Sequence, residues 1–214
     1  MNFEIAGIKL DITTELKDYS AVEAGDNLRG FNRTTKVWVN EVAATLNREG
    51  WNLLGAGCFS QVFGHAKHSY VIRVIGDDPG AIEWLKFCSS AFRSCPLLPA
   101  VFDLVAFKAG CGVAVMERLQ GERGDVLEKK MDLSDSVIRL QQKITMPPIL
   151  KETVKTPEMA DKLTAAYGIA LAQLTTESRY TCKRAKHDLH IGNMMCRANG
   201  QLVITDPIAT WWKD

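Results

Sequence analysis

The sequence predicts an α+β chain of two lobes: a small antiparallel sheet carrying one helix, then a short, mostly helical half. Three observations predict it. Short β-rich runs split by glycines fill residues 51–119, an apolar stripe at helical spacing fills 157–178, and an Asn-Gly pair between two apolar triplets lies near the C-terminus. At 214 residues the chain can bury one good core, or two small lobes sharing one.

Residues 1–33 mix short apolar runs with Gly25, Gly30 and polar residues, which suggests a strand or an irregular cap. From Thr34 to Glu49 the period becomes helical: Val39, Val42, Ala43 and Leu46 share a face, Thr34 or Thr35 can cap the start, and Gly50 can end it. Trp51–Leu54, Gln61–Phe63 and Tyr70–Ile75 read as strands. Residues 79–93 follow as a helix, opened by Pro79 where a missing N–H costs nothing. Val101–Lys108 and Gly112–Leu119 form a strand pair around Gly110, completing five strands and one helix. Residues 122–145 are ambiguous and charged. In the stripe of 157–178, capped by Thr156 and opened by Pro157, Met159, Leu163, Ala166, Tyr167, Ala170, Leu171 and Leu174 recur at core spacing. The expected organisation is an N-terminal extension over 1–50, a sheet lobe over 51–120 and a short second lobe over 121–214.

Composition narrows the function classes. Hydrophobic residues at 46%, charged residues at 24% and a formal charge of +1 are ordinary for a globular protein and give no reason to bind nucleic acid or an anionic membrane. No apolar run approaches the roughly 20 residues needed to cross a bilayer, and Met1-Asn2-Phe3-Glu4 does not begin a signal peptide. A cytoplasmic location is expected. Cys58, Cys88, Cys95, Cys111, Cys182 and Cys196 form no CxxC pair, and His65, His68, His187 and His190 complete no zinc pattern, so buried free thiols are expected.

The chemistry concentrates near the C-terminus. Asn199-Gly200, flanked by Met194-Met195-Cys196 and Leu202-Val203-Ile204, predicts a two-residue hairpin turn. In that register Asn193 stands opposite Asp206, close enough for an amide oxygen and a carboxylate to share one Mg²⁺. Asp188 lies just ahead. The spacing of Asp188-Leu189-His190-Ile191-Gly192-Asn193 fits a phosphoryl-transfer loop, in which one carboxylate orients the attacking hydroxyl while an amide and a second carboxylate hold metal. Singly, each is more simply a turn or strand-start residue; together, and in that register, they favour a site. Gly55-Ala56-Gly57-Cys58-Phe59-Ser60-Gln61-Val62 fits a nucleotide hairpin loop of the form G-x-G-x-x-G-x-V, with Ser60 for the third glycine.

On these residues the sequence resembles the protein-kinase superfamily. More narrowly, it resembles the early host-takeover protein kinases of short-tailed phages that carry a single-subunit RNA polymerase. The segments concerned are Leu54–Ser60, Val71-Ile72-Arg73-Val74, Leu98–Asp103, Ala109-Gly110-Cys111, Asp188–Asn193 and Ile204-Thr205-Asp206-Pro207, in order over residues 51–209. The resemblance implies a minimal bilobal kinase-like fold and ATP- and Mg²⁺-dependent phosphorylation of host proteins on Ser and Thr. It also implies substrates in transcription and RNA processing, RNA polymerase among them, during host shutoff in the host cytoplasm. Asp188 would be the catalytic base, and Asn193 and Asp206 the metal ligands. Gly55, Ala56, Gly57, Ser60 and Val62 would hold nucleotide, and Glu83 would pair with the basic residue of the third strand. Met116, Glu117 and Leu119 would form the hinge that reads adenine with backbone groups; a plain core strand and a solvated helix charge are the bland alternatives for Met116 and Glu83.

Three departures bear on activity. Arg73 stands where the pattern has Lys, and a guanidinium is not interchangeable with an ammonium. This allows weakened catalysis, a shifted lysine such as Lys67 or Lys86, or a binding-only relative that inhibits a host partner. Lys186-His187 replaces His-Arg ahead of the base, and His190 stands where protein kinases carry Lys, with His187 and His190 as orienting hydrogen-bonders. Asp-x-His-x-x-Asn equally fits small-molecule phosphotransferases of the aminoglycoside-kinase type. Only eight residues follow Asp206, leaving no room for an activation segment; Trp211 and Trp212 suit packing of the tail. The basic cluster Arg179, Lys183, Arg184 and Lys186 reads more simply as a solvated turn than as an anion site.

Overall fold

A computed structural model describes residues 1–16, 33–89, 98–120, 183–187 and 191–212. The chain opens with a hairpin of β1 (Asn2–Ile5) and β2 (Ile8–Asp11). Ala6 and Gly7 turn it at φ 52° and 77°, the mirror-image geometry that follows strand twist. Helix α1 (Arg33–Arg48) comes next, within a residue of the expected bounds. Gly50, at φ 85°, ends it as expected, its N–H bonded to Asn47 O at 3.1 Å.

The expected sheet forms as β3 (Asn52–Ala56), β4 (Ser60–Gly64), β5 (Tyr70–Ile75), β6 (Val101–Ala106) and β7 (Gly112–Glu117), all antiparallel in the order β3-β4-β5-β7-β6. Helix α2 (Pro79–Ser89) leaves between β5 and β6. Asp78 caps it, Oδ1 accepting the Ala81 N–H at 3.1 Å, with Pro79 at the first helical position. The rest of its expected range, 90–93, lies outside the described residues.

The central strands β5 and β7 are buried on both faces, whereas β3 at the sheet edge is exposed. On one face Val71, Ile75, Ala114 and Met116 pack with Ile82 and Leu85 of α2 and with Met194, Cys196 and Ile204 from the end of the chain. On the other, Ile72, Val74, Val113 and Val115 pack with Trp38, Val39, Val42 and Leu46 of α1 and with Ile5 and Leu10 of the first hairpin. That is why β5 reads as an apolar run interrupted only by Arg73. Residues 1–16 and α1 thus share a core with the sheet. Glu41 ties the two N-terminal pieces together: its carboxylate accepts the Thr13 N–H at 3.1 Å, the Thr14 N–H at 3.0 Å and the Thr13 hydroxyl.

In the second half the described segments are β8 (Lys183–His187), β9 (Met194–Cys196), β10 (Leu202–Ile204), β11 (Ile208–Trp212) and a 3-10 turn at Ile191–Asn193. β9 pairs with β10 and β8 with β11, both antiparallel. The expected helix over 157–178, the stretch 122–145 and Arg179 lie outside the described residues. The basic run 183–187, read as a turn, is instead a strand. The tail 208–212 is its partner strand, although nothing is described of the Trp211 and Trp212 side chains. Of the described cysteines, Cys88, Cys111 and Cys196 are buried free thiols as expected, whereas Cys58 is exposed at the β3–β4 turn. No helix among the described residues is long and apolar enough to cross a membrane.

Gly110 (φ 62°) seats the loop before α2, accepting the Asp78 N–H at 3.0 Å. A Cβ there would stand 2.6 Å from both N and Cδ of Pro79, so Gly110→Ala should destabilise the protein by about 2 kcal/mol or more in urea unfolding. Burial pushes the Glu41 carboxyl up, but the bonds from Thr13 and Thr14 outweigh it and hold it below its ordinary value. Its contribution to stability is therefore complete above the ordinary carboxyl range and is lost as pH falls through the lowered value. Stability measured from pH 7 to pH 3 should fall less steeply in Glu41→Gln than in the parent.

Candidate active site

The site is built on the face of the sheet toward the C-terminal strands. Cross-strand partners share a face, and the register aligns Gly55 with Val62, Val62 with Arg73, and Arg73 with Ala114. The nucleotide-loop residues Gly55 and Val62 therefore lie in one row with Arg73, and Ser60, two residues before Val62, projects on the same side. Ala56 pairs with Gln61 on the opposite side, so among these positions it can offer a ligand only its backbone. The loop is held by Gly57 N to Ser60 O at 2.8 Å and Gly76 N to Phe59 O at 2.9 Å. A Cβ on Gly55 would meet nothing within 4 Å, so there is open space above it.

Arg73 points from this row to the end of the chain. Its Nη2 lies 2.5 Å from Asp206 Oδ2 and its Nη1 lies 3.4 Å from Thr205 O. The side chains are 8% and 21% exposed, so the pair is largely withdrawn from water and each charge depends on the other. Sequence reasoning brought both residues to the site but paired Arg73 with Glu83. The structure corrects this: Glu83 Oε1 binds Lys86 Nζ at 2.6 Å, three residues along α2, which also occupies the ammonium considered as a substitute lysine.

The hairpin register also differs from expectation. The observed partners are Cys196 with Leu202, Met195 with Val203 and Met194 with Ile204, one residue away from the two-residue-turn register. Arg197 and Gln201 close a three-residue loop (Arg197 N to Gln201 O, 2.9 Å), and Gly200 N reaches Arg197 O at 2.9 Å. Gly200 adopts φ 84° while Asn199 does not have positive φ, so this is a type I turn followed by a glycine bulge. The Asn199 side chain favours it by accepting the Gln201 N–H at 3.0 Å. Asn193 consequently stands opposite Thr205, whose N–H it accepts at 2.9 Å, and Asp206 falls one step beyond. The direct Asn193–Asp206 pairing does not form, although both remain at the open end of the hairpin.

Asp188 and His190 lie outside the described residues. The backbone on either side is placed: His187 pairs with Ile208, two residues past Asp206, and Asn193 faces Thr205, one before it. In the hinge segment, Met116 is buried in the sheet core. Glu117 N is taken by Ala100 O at 2.9 Å, and its carboxylate by Arg197, with Nε 2.7 Å from Oε2 and Nη2 2.6 Å from Oε1. Leu119 is half-buried, and no backbone hydrogen bond joins it to another described residue, while Gln120 bridges to Cys196. Of the three hinge candidates, Leu119 is the one whose backbone no other described residue engages. Sequence reasoning missed Arg197 altogether, since it sits in a turn 80 positions from its partner with no local pattern to mark it.

The family model for bacteriophage T7 protein kinase 0.7 matches residues 17–211. The chain belongs to this family. It is therefore a kinase, a phosphotransferase by class. A search of curated protein sequences finds no match. Among solved structures, the aminoglycoside phosphotransferase APH(4)-Ia aligns at 16% identity and TM-score 0.33, covering 79% of this chain and 72% of that one. A thermostable mutant of that enzyme in ternary complex with ADP and hygromycin B aligns at 16% identity and TM-score 0.33, covering 78% and 71%. Another, in complex with AMP-PNP and hygromycin B, aligns at 17% and 0.32, covering 76% and 68%. Scores at this level transfer no function.

A kinase family implies a nucleotide and a divalent metal, and the residues present fit both. Asp206 Oδ1 is buried with no hydrogen-bond partner among the described residues, and a carboxylate oxygen suits a hard cation. The space over Gly55 leaves room for phosphate beside the backbone. Asp206 and Asn193 are the described residues suited to the metal.

Mutating either member of the buried pair leaves the other charge uncompensated. Arg73→Met and Asp206→Asn should each cost roughly 2–4 kcal/mol in urea unfolding, and the double variant clearly less than their sum.

Proposed function

We propose that the chain is an ATP- and Mg²⁺-dependent serine/threonine protein kinase that modifies proteins of a bacterial host in its cytoplasm, including components of transcription or RNA processing. The observation that carries this reading is the Arg73–Asp206 contact beside the open nucleotide loop. It joins a guanidinium able to bind phosphate with a carboxylate that has one oxygen unclaimed. Mg²⁺ held by Asp206 and Asn193 would neutralise charge on the β- and γ-phosphates. The rest falls to the chain itself. The backbone of Gly55 approaches the phosphates in the loop that Gly57 closes, Val62 covers the base, and Leu119 offers backbone hydrogen bonds to its edge. Arg73 turns part of its fork from Asp206 to phosphate oxygens, Asp188 orients the acceptor hydroxyl and accepts its proton, and His190 holds the loop around Asp188.

The Asp188, His190, Asn193 spacing supports a second reading, transfer to a small hydroxylated metabolite or antibiotic. Incubation with labelled ATP and a bacterial lysate separates the two. Labelled phosphoserine and phosphothreonine in protein are expected, reduced at least about 100-fold by Asp188→Ala. Label confined to small molecules would favour the second reading, and equal protein labelling by Asp188→Ala would sink the first.

A further inference from the structure

We infer that Arg197 and Glu117 are positioning residues: their ion pair seats the β9–β10 hairpin on the sheet and so sets where Asn193 and Asp206 stand beside the nucleotide loop. The inference rests on the kinase reading above and names residues which that reading does not use.

The pair is a two-pronged clasp. Arg197 Nε and Nη2 reach Glu117 Oε2 and Oε1 at 2.7 and 2.6 Å, a fork-to-fork arrangement that fixes direction as well as distance. Nη2 also donates to Leu98 O at 2.9 Å, and Oε1 also accepts the Ala100 N–H at 2.8 Å. The two side chains are 25% and 17% exposed, unlike a freely solvated surface pair. One cluster thus joins the entry to β6, the end of β7 and the hairpin loop.

The location of the clasp gives it leverage. Arg197 closes the loop at one end of the hairpin, and Asp206 follows the other end, where Arg73 grips it. Between the two grips, Met194, Cys196 and Ile204 are buried in the sheet core. Apolar burial is non-directional, so by itself it lets a short hairpin rock on the sheet. A charged grip at each end removes that freedom. Gln120 reinforces the loop end, giving its N–H to Cys196 O at 2.7 Å and accepting the Cys196 N–H at 3.2 Å. In the kinase reading Arg73 shares its guanidinium with phosphate during turnover, whereas Arg197 and Glu117 are held by each other, Leu98 and Ala100. The clasp can hold the metal-binding end in place while Arg73 is engaged elsewhere.

The test uses the full chain and the variants Arg197→Met, Glu117→Gln, Arg197→Lys and the exchanged double Glu117→Arg/Arg197→Glu. Turnover with labelled ATP is measured against Mg²⁺ and against ATP, and amide hydrogen exchange is followed at Thr205, whose N–H binds Asn193 O. Arg197→Met and Glu117→Gln should each raise the Mg²⁺ needed for half-maximal rate about tenfold, with kcat lowered and KM for ATP within about twofold. Thr205 exchange should quicken about tenfold while β5 amides stay protected. Arg197→Lys and the exchanged double should recover part of each loss. Unchanged Thr205 exchange in folded Arg197→Met would overturn the clasp whether or not the protein is a kinase. So would an apparent kcat that falls only in proportion to folded protein while the Mg²⁺ requirement stays unchanged. A parent chain that transfers no phosphate yet shows the exchange difference would overturn the kinase reading and leave the seating role standing.

Discussion

The Arg73–Asp206 pair is the constraint around which the two halves are organised. Two charges mostly withdrawn from water cost more to desolvate than a surface pair regains, so they persist only where each supplies the other's counter-charge. Arg73 comes from the central part of the sheet and Asp206 from the link between β10 and β11, 133 positions later. Their meeting requires the hairpin of β9 and β10 to lie on the same face as the row of Gly55, Val62 and Arg73. Apolar burial of Met194, Cys196 and Ile204 supplies the attraction, and the ion pair supplies direction. Neither alone would place a carboxylate at a defined point beside Gly55 and Val62.

The opposite face of the sheet matters for the same reason. A strand that buries a guanidinium on one side needs compensation on the other. Ile72 and Val74, flanking Arg73, are fully buried against α1 and the first hairpin. The N-terminal 50 residues contribute little to the motif resemblance, yet among them residues 1–16 and α1 bury the Ile72 and Val74 side of β5. Glu41 fixes this wall by bonding the chain just past β2.

Legibility of these features followed the range of the forces involved. The five strands, α1, the Pro79 start of α2 and the Gly50 stop were readable because local patterns determine them: alternation, caps and glycine φ. The Asn199-Gly200 turn was readable as a turn but misread in type. The Asn199 side chain takes the Gln201 N–H, and that favours the three-residue loop over the two-residue one. The slip of one residue shifted Asn193 from Asp206 to Thr205. The strand at 183–187 was hidden because Lys183, Arg184, Lys186 and His187 show no apolar alternation; its pairing with 208–212 is visible only in space. The Arg197–Glu117 clasp was beyond reach for the same reason.

The Arg at position 73 and the reassigned Glu83 are best understood as one change. In the pattern the chain resembles, a lysine on this strand answers a glutamate on the following helix, and sheet and helix are tied to each other. A guanidinium has several donors in a rigid fork, so it can span a gap between elements where an ammonium makes a point contact. Here the fork reaches both a side chain and a backbone carbonyl of the C-terminal segment. Glu83 is then free to be satisfied locally by Lys86. The Arg73 Nε remains buried without a partner, a cost that a plain structural link would not need to carry. A buried donor on the guanidinium and a buried oxygen on Asp206, both unclaimed among the described residues, suit an anion and a cation respectively.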